Sequence, residues 1–345
     1  MRQVPRVVTP GDPLGATPWY RSGMSARRTR ILSRTQIADL AEMRDAVDAV
    51  AEAFEAQAKG TAQMPPKVYL DLPEHEGDFR AMPASMDGAA GVKWVNSHPA
   101  NPARFGLPSV MGVYILSDPA TAFPEAILDA TLLTALRTGA AAGVASRALA
   151  IEDPKTVGFV GSGVQARFLL DAHRAVFGDG FEALFSDLDE ARAESLAKAL
   201  GGRAVSVEEA SGADIVCTST PSRTPVVQRA WLADHAHVNA MGADAEGKQE
   251  LESAISKDAQ VFIDEREQAT HSGEINVPLR VGELAEEDLA GTLGQVLTGA
   301  VSADRNGLTV FDSTGLALQD LALARRLLAK ARELSVGTLV DLVGA

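Results

Sequence analysis

A single cysteine, Cys217, among 345 residues leaves no partner for an intrachain disulfide and fits a reducing, cytoplasmic setting. Positive charge is scarce: 32 Lys and Arg stand against 46 Asp and Glu, a formal charge of −14. That excess repels phosphate backbones and anionic lipid, which excludes nucleic acid and membrane surfaces as expected partners. Long apolar runs are missing too. The nearest stretch, Leu132 to Ile151, is broken by Arg137 and Arg147, so no spanning helix is expected. His235 and His237 lack a third ligand nearby, so no metal centre is expected. What remains is 46% apolar and 23% charged, ordinary for a folded chain and, at this length, enough for two domains.

The first 23 residues hold four prolines and no periodic pattern; we expect a disordered leader over 1–28, or an upstream extension with the natural start at Met24. Apolar residues at three- and four-residue spacing, Ile37, Leu40, Met43, Val47, Val50 and Phe54, predict one amphipathic helix from Thr35 to Lys59, ended by Gly60. Short runs punctuated by Gly and Pro between Lys67 and Leu116 predict strands of a mixed or antiparallel sheet. Asp129 to Leu149 reads as a helix rich in small residues, suited to close packing at a seam between domains. After Pro154 strands and helices alternate. Strands are expected at Thr156–Val160, Phe181–Ser186, Ala204–Val207, Asp214–Thr218, His237–Met241 and Gln260–Ile263, with helices at Val164–Val176 and Leu188–Leu200. This rhythm predicts an α/β fold: a Rossmann-type, doubly wound parallel sheet over 136–311. A mixed α/β substrate-binding and dimerisation domain is expected over 29–135, completed by 312–345 with a helix at Leu316–Leu334.

The segment Val157-Gly-Phe-Val-Gly161-Ser-Gly163-Val-Gln-Ala166 closes a predicted strand and opens a predicted helix. Gly161 permits the tight turn, Gly163 lets backbone approach a pyrophosphate, and Ala166 lets helix and strand pack closely. The phosphates then face free N–H groups at a helix N-terminus. Asp187 ends the second strand about 24 residues past Gly163, where a carboxylate accepts hydrogen bonds from the adenosine ribose hydroxyls. A 2′-phosphate there meets repulsion, so NAD is favoured over NADP.

Three segments carry polar residues amid apolar or Gly/Pro-rich sequence: Phe79-Arg80-Ala-Met-Pro83, Gly91-Val-Lys93-Trp-Val-Asn-Ser-His98-Pro99 and Asn239 to Lys248. Lys93-Trp-Val-Asn-Ser-His98-Pro99 and Asn239 to Leu251 form an ordered set with Met64-Pro-Pro-Lys67, Leu133-Thr-Ala-Leu-Arg137-Thr138-Gly-Ala140, Gly161-Ser-Gly163-Val-Gln165, His271-Ser-Gly-Glu-Ile-Asn276 and Phe311-Asp-Ser-Thr-Gly315. Over about residues 30 to 335 this set resembles the ornithine cyclodeaminase/mu-crystallin family, most of all its archaeal-type alanine dehydrogenase branch. The resemblance implies that Lys93, with Lys67 and Arg137, holds the substrate carboxylate, and that Asp244 exchanges protons with the substrate amine or the attacking water. It also implies cofactor contacts at Ser109, Arg137, Thr138, Gly161, Gly163, Val164, Gln165, Asp187, Thr218, Thr220, Gly242, Lys248 and Ser313, with Thr314 beside the nicotinamide and the substrate.

At the place of Arg80, ornithine-cyclising members of the family resemble one another in carrying an acid that helps hold the distal amine. A guanidinium accepts no hydrogen bond and repels an ammonium. A small L-amino acid is therefore the expected substrate, with Arg80 and Arg137 clamping its carboxylate and Lys93 or Asp244 serving as base. The expected reaction is NAD-dependent conversion of alanine to pyruvate and ammonia, or the reverse. A cyclodeaminase, a reductase of cyclic imines such as pyrroline-2-carboxylate, and a non-catalytic, crystallin-like NAD(P)H-dependent binder stand as alternatives. A homodimer is expected from the same resemblance.

Overall fold

The computed structural model describes residues 27–344, so the expected leader lies, save for Arg27 and Arg28, outside the described residues. Seven strands come first: β1 (Thr29–Leu32), β2 (Ala62–Gln63), β3 (Val68–Leu72), β4 (Gly77–Met86), β5 (Ala89–Ser97), β6 (Val110–Ser117) and β7 (Pro124–Asp129). Eight more follow: β8 (Thr156–Val160), β9 (Glu182–Ser186), β10 (Arg203–Ala204), β11 (Ile215–Thr218), β12 (His237–Ala240), β13 (Gln260–Ile263), β14 (Gly291–Thr292) and β15 (Thr309–Asp312). A last strand, β16 (Thr338–Val340), returns to the first sheet, whose order is β16-β1-β7-β6-β5-β4-β2 with β3 paired to β4. This sheet is mixed: β1 runs parallel to β7, and the remaining pairs are antiparallel.

The second sheet is parallel throughout, in the order β10-β9-β8-β11-β12-β15-β13-β14. Chain order runs outward in opposite directions from β8 and β11. The crevice above their carboxyl ends is the place where doubly wound sheets bind ligands. Strand β15 sits between β12 and β13 and was not foreseen; nor were β1, β2, β7, β14 and β16. Its four residues, Thr-Val-Phe-Asp, are buried on both faces and carry no alternation to read.

Two other expectations change. The predicted helix over 35–59 is two helices, Arg34–Leu40 and Met43–Ala58, parted at Ala41, whose backbone is extended. A capping box at Ser33 and Gln36 starts the first, and no glycine or proline marks the break. The strand foreseen at 204–207 stops at Ala204, because Ser206 caps a short helix, Val207–Ser211.

Asp129 caps the helix Ala130–Leu149 by accepting from the Leu132 N–H at 2.8 Å. This helix is buried on nearly every side and touches both sheets. Gly139 and Gly143 permit that: a Cβ on Gly139 would stand 2.3 Å from the Phe168 carbonyl oxygen. The foreseen boundary between 135 and 136 falls inside this unbroken helix. The closing helix Ala317–Glu333 packs against β4, β5 and the helix Met43–Ala58, in the same apolar cluster. The opposite face of the first sheet leaves Ile31, Trp94, Val113 and Ile115 exposed, with Trp94 paired to Val113 across β5 and β6.

Candidate active site

The residues singled out from the sequence meet where the inner face of the first sheet looks onto the carboxyl ends of the parallel strands. Pairing sets the first group. Tyr69 on β3 lies opposite Arg80 on β4, and Lys93 on β5 opposite Met82, so Tyr69, Arg80 and Lys93 share one face. Arg80 lies 5.4 Å from the Tyr69 ring and binds Asp78 through Nε and Nη2, both at 2.9 Å. Its Nη1 donates to Asp244 at 3.1 Å. Lys67, just ahead of β3, donates to the Thr314 carbonyl at 2.9 Å. The Lys93 Nζ is 2.6 Å from Asp320 on the closing helix, and Arg137 Nε lies 3.3 Å from the other oxygen of Asp320.

The second group stands on loops that leave the parallel strands. At Gly161 φ is +99°, which disfavours any side chain, and a Cβ would meet the Ser219 carbonyl and Thr220 at 3.0 Å. Gly242 is pressed against Thr220: a Cβ there would stand 2.3 Å from the Thr220 carbonyl oxygen. Two residues on, Asp244 accepts from Lys248 and Arg80. Contacts thus run unbroken from the glycine turn through Thr220 and Gly242 to Asp244 and Arg80. From the far side, the 313–315 loop brings Thr314 to Lys67, and Gly315, at φ +78°, lies flush against the Arg137 guanidinium.

Electrostatics separate the candidates. Burial draws the Lys93 ammonium down to about 7 against the opposing pull of Asp320, with Arg137 and Lys67 adding to the fall. Burial likewise brings Lys67 down to about 8, despite Asp264. Asp244 is held at about 2: burial alone would raise it, but Lys248 and Arg80 together prevail. Arg80, gripped by Asp78 and Asp244, is pushed above its ordinary value despite burial.

A dinucleotide fits the glycine turn on three observations. The helix Val164–Phe177 starts at Gly163 without a side-chain cap, so its first N–H groups are free for an anion. Nothing crowds the Cβ position of Gly163, and the buried Gln165 Oε1 and Ser313 Oγ have no hydrogen-bond partner. The Asp187 carboxylate accepts from the Ser162 N–H at 2.8 Å, which holds it beside the turn. Val164 is exposed, and Thr138 is buried one residue beyond Arg137. Thr218 lies deeper: fully buried, it donates to Glu250 at 2.7 Å and holds the loop from beneath. Ser109 stands ahead of β6, where its carbonyl accepts from the His98 N–H at 2.8 Å. His235 and His237 point to separate partners, Asp214 and the Thr309–Asn239 pair, and no metal-ligating cluster occurs among the described residues.

Five buried carboxylates escaped the sequence reading: Glu250, Asp264, Glu274, Asp312 and Asp320. Four of them tie the loops together. Glu250 accepts from Thr218, Thr220 N–H and Gly242 N–H; Glu274 accepts from the N–H groups of Glu250 and Leu251. Asp312 accepts from the N–H groups of Glu274 and Ile275, and Asp264 from those of Thr314 and Gly315. Three of these acids stood within matched motifs, and Asp264 closes a strand; an acid in such apolar surroundings was the available signal.

Asp312 gives a pH test. Burial, with Asp264 and Glu250 nearby, pushes its carboxyl up to about 8. A carboxyl raised in this way stabilises the fold fully below its unfolded value of about 4 and loses that contribution as pH climbs through the folded value. Asp312→Asn should therefore cost roughly 2–4 kcal/mol more stability at pH 5 than at pH 8. Urea unfolding at both pH values checks this, and an equal cost at each would contradict it.

Fold and glycine turn define a dinucleotide-binding protein of the doubly wound class, with a cluster of buried cations facing the nucleotide crevice. The chain belongs to the ornithine cyclodeaminase/mu-crystallin family, whose model matches residues 27–334. It is 46% identical to an alanine dehydrogenase of Archaeoglobus fulgidus over 317 residues, 90% of this chain and 97% of the relative. An archaeal alanine dehydrogenase dimer with bound NAD superposes with a TM-score of 0.87 at 45% identity, covering 91% of this chain and 99% of the other. The Δ1-pyrroline-2-carboxylate reductase of Thermococcus litoralis, in complex with NADH and L-proline, gives 0.85 at 32% identity, covering 90% and 100%.

Proposed function

We propose that the chain is an NAD-dependent amino-acid dehydrogenase that converts a small L-amino acid, alanine foremost, to its 2-oxo acid and ammonia, or runs the reverse. The observation that carries this reading is the convergence of Lys67, Arg80, Lys93, Arg137 and Asp244 beside the glycine turn. The likeness to the Archaeoglobus alanine dehydrogenase supports it.

Gly161, Gly163 and Asp187 would hold the dinucleotide, which would supply the hydride chemistry at the substrate Cα. The chain supplies the rest. Lys67 and Arg137 grip the substrate carboxylate and fix Cα against the ring. An ammonium must lose a proton before Cα can give up hydride, and Lys93, drawn to about 7, is matched to take it near neutral pH. Asp244, at about 2, stays ionised across the working range. Its carboxylate steadies the positive charge of the substrate imine and orients the water that adds to it. Arg80, held by Asp78 and Asp244, sets the direction of that carboxylate more than it clamps substrate, and its charge turns away a second ammonium.

Residues 29–135 with 312–345 are proposed to hold the substrate and to pair two copies, and 136–311 to hold NAD. The exposed apolar face at Trp94, Val113 and Ile115 supports pairing, as does the dimer of the archaeal relative. The single buried Cys217 supports a cytoplasmic setting. No helix among the described residues is long and apolar enough to cross a membrane.

The purified chain with NAD and a panel of 2-amino acids should produce NADH fastest with alanine, and more slowly with NADP. Release of proline from ornithine would identify a cyclodeaminase. Reduction of pyrroline-2-carboxylate without alanine oxidation would identify an imine reductase, and NADH binding without any turnover a binding protein.

A further inference from the structure

Lys93 and Arg137 share one buried acid that the sequence did not single out. Asp320 occupies the first turn of the helix Ala317–Glu333, and its side chain is 0% exposed, as Lys93 is 1% exposed. One carboxylate oxygen lies 2.6 Å from Lys93 Nζ, the other 3.3 Å from Arg137 Nε. The neighbouring Gln319 accepts from Arg137 Nη1 at 3.2 Å, so a single helical turn grips both cations. Packing leaves them little freedom. Gly315 presses on the guanidinium, and Tyr114, opposite Lys93 on β6, covers the ammonium's strand from the next position across the sheet.

We propose that Asp320 is a positioning residue of the reaction: its carboxylate fixes the direction and the charge of Lys93 and Arg137, the pair that meets the substrate. The inference rests on the dehydrogenase reading above. Two like charges packed this closely in a dry interior repel each other, and without an acid between them one would shed its proton or turn away. Arginine does not shed its proton, so the lysine would. Beside Asp320, the charged groups around Lys93 are Lys67 from the segment before β3 and Arg137 from the helix Ala130–Leu149, both opposing its protonation. Tyr114 from β6 is a buried phenol held neutral by burial, and Asp320 alone of these favours the ammonium.

The test uses the full chain with NAD. Asp320→Asn keeps the shape and removes the charge. It should lower kcat/KM for alanine about a hundredfold while NADH affinity, read by fluorescence, stays within about twofold. The acid limb of its pH profile should move down by about one unit, because Lys93 has lost the group that favours its proton. Asp320→Glu restores the charge and should bring the limb back to its wild-type position, an effect a purely structural role would not give. An unmoved limb with kcat/KM within about threefold of wild type would overturn the proposal. If Asp320→Asn fails to bind NADH, Asp320→Glu carries the test: a limb displaced from wild type despite the retained charge would overturn it. The Lys93 midpoint in 15N-lysine NMR, assigned with Lys93→Arg, reads the same coupling without turnover. A wild-type chain that oxidises no amino acid would remove the dehydrogenase reading, while an Nζ midpoint unchanged between wild type and Asp320→Asn would remove this one.

Discussion

Asp244→Asn should lower kcat/KM for alanine by about three orders of magnitude while leaving NADH binding nearly intact. The side chain keeps its volume and loses its charge. In the wild type one carboxylate oxygen accepts from Arg80 at 3.1 Å and the other from Lys248, and their joint charge holds the acid ionised. An amide in its place leaves two cations facing the forming imine with no anion between. The positive charge that develops on the substrate is then opposed where it had been stabilised, and the attacking water loses an acceptor. KM for alanine should change less than kcat, because the proposed reading gives the carboxylate of the substrate to Lys67 and Arg137. Steady-state kinetics across pH 6–10 checks it. Turnover within tenfold of wild type at every pH would remove Asp244 from the chemistry.

Gly158→Ala should destabilise the protein by about 3 kcal/mol, at the upper end of the usual cost of overpacking. Gly158 lies mid-strand in β8, and a Cβ there would stand 1.9 Å from the carbonyl oxygen of Ala210, in the helix Val207–Ser211. The obstacle is backbone, which a rotamer change cannot relieve. Either that helix lifts from the sheet or β8 bends, and β8 carries the glycine turn, so NADH affinity should fall along with the melting temperature. For a chain of this size the melting point should drop by roughly 4 °C. Gly180→Ala is the control: nothing stands near its Cβ position, and its melting point should stay within about 1 °C. Calorimetry of both variants decides, and a matching melting point for Gly158→Ala and wild type would show that the helix is free to move.

The glycine turn was legible because its chemistry is local. Gly161, Gly163 and Asp187 sit at sequence spacings that the strand–turn–helix unit imposes, and the structure places Asp187 against that turn. Lys93 and Asp244 were found as polar residues out of keeping with apolar or glycine-rich neighbours. The break at Ala41 was not legible, because no residue there forbids helix; it is set by how the two helices must pack. Strand β15 was passed over although β11 and β12, just as short and as fully buried, were read; its place between β12 and β13, out of chain order, is a tertiary outcome. Arg80 was read as a clamp on the substrate; its partner Asp78, two residues back on the same strand, was within reach of the sequence, whereas Asp244 meets it only through tertiary folding.

From its sequence alone this protein has its class of fold, its nucleotide turn, and the cations and the acid that the structure gathers beside that turn. Fold class and turn follow from periodicity and short motifs, which act over a turn of helix or one strand–helix step, and the set of charged residues followed from the family resemblance. Tertiary structure alone decided which charge each cation carries and where it points. Lys93 meets Asp320 from 227 positions away, and Lys67 meets Thr314 from 247. Burial depth and the nearest opposite charge set a pKa, and both arise only when distant segments close on one another.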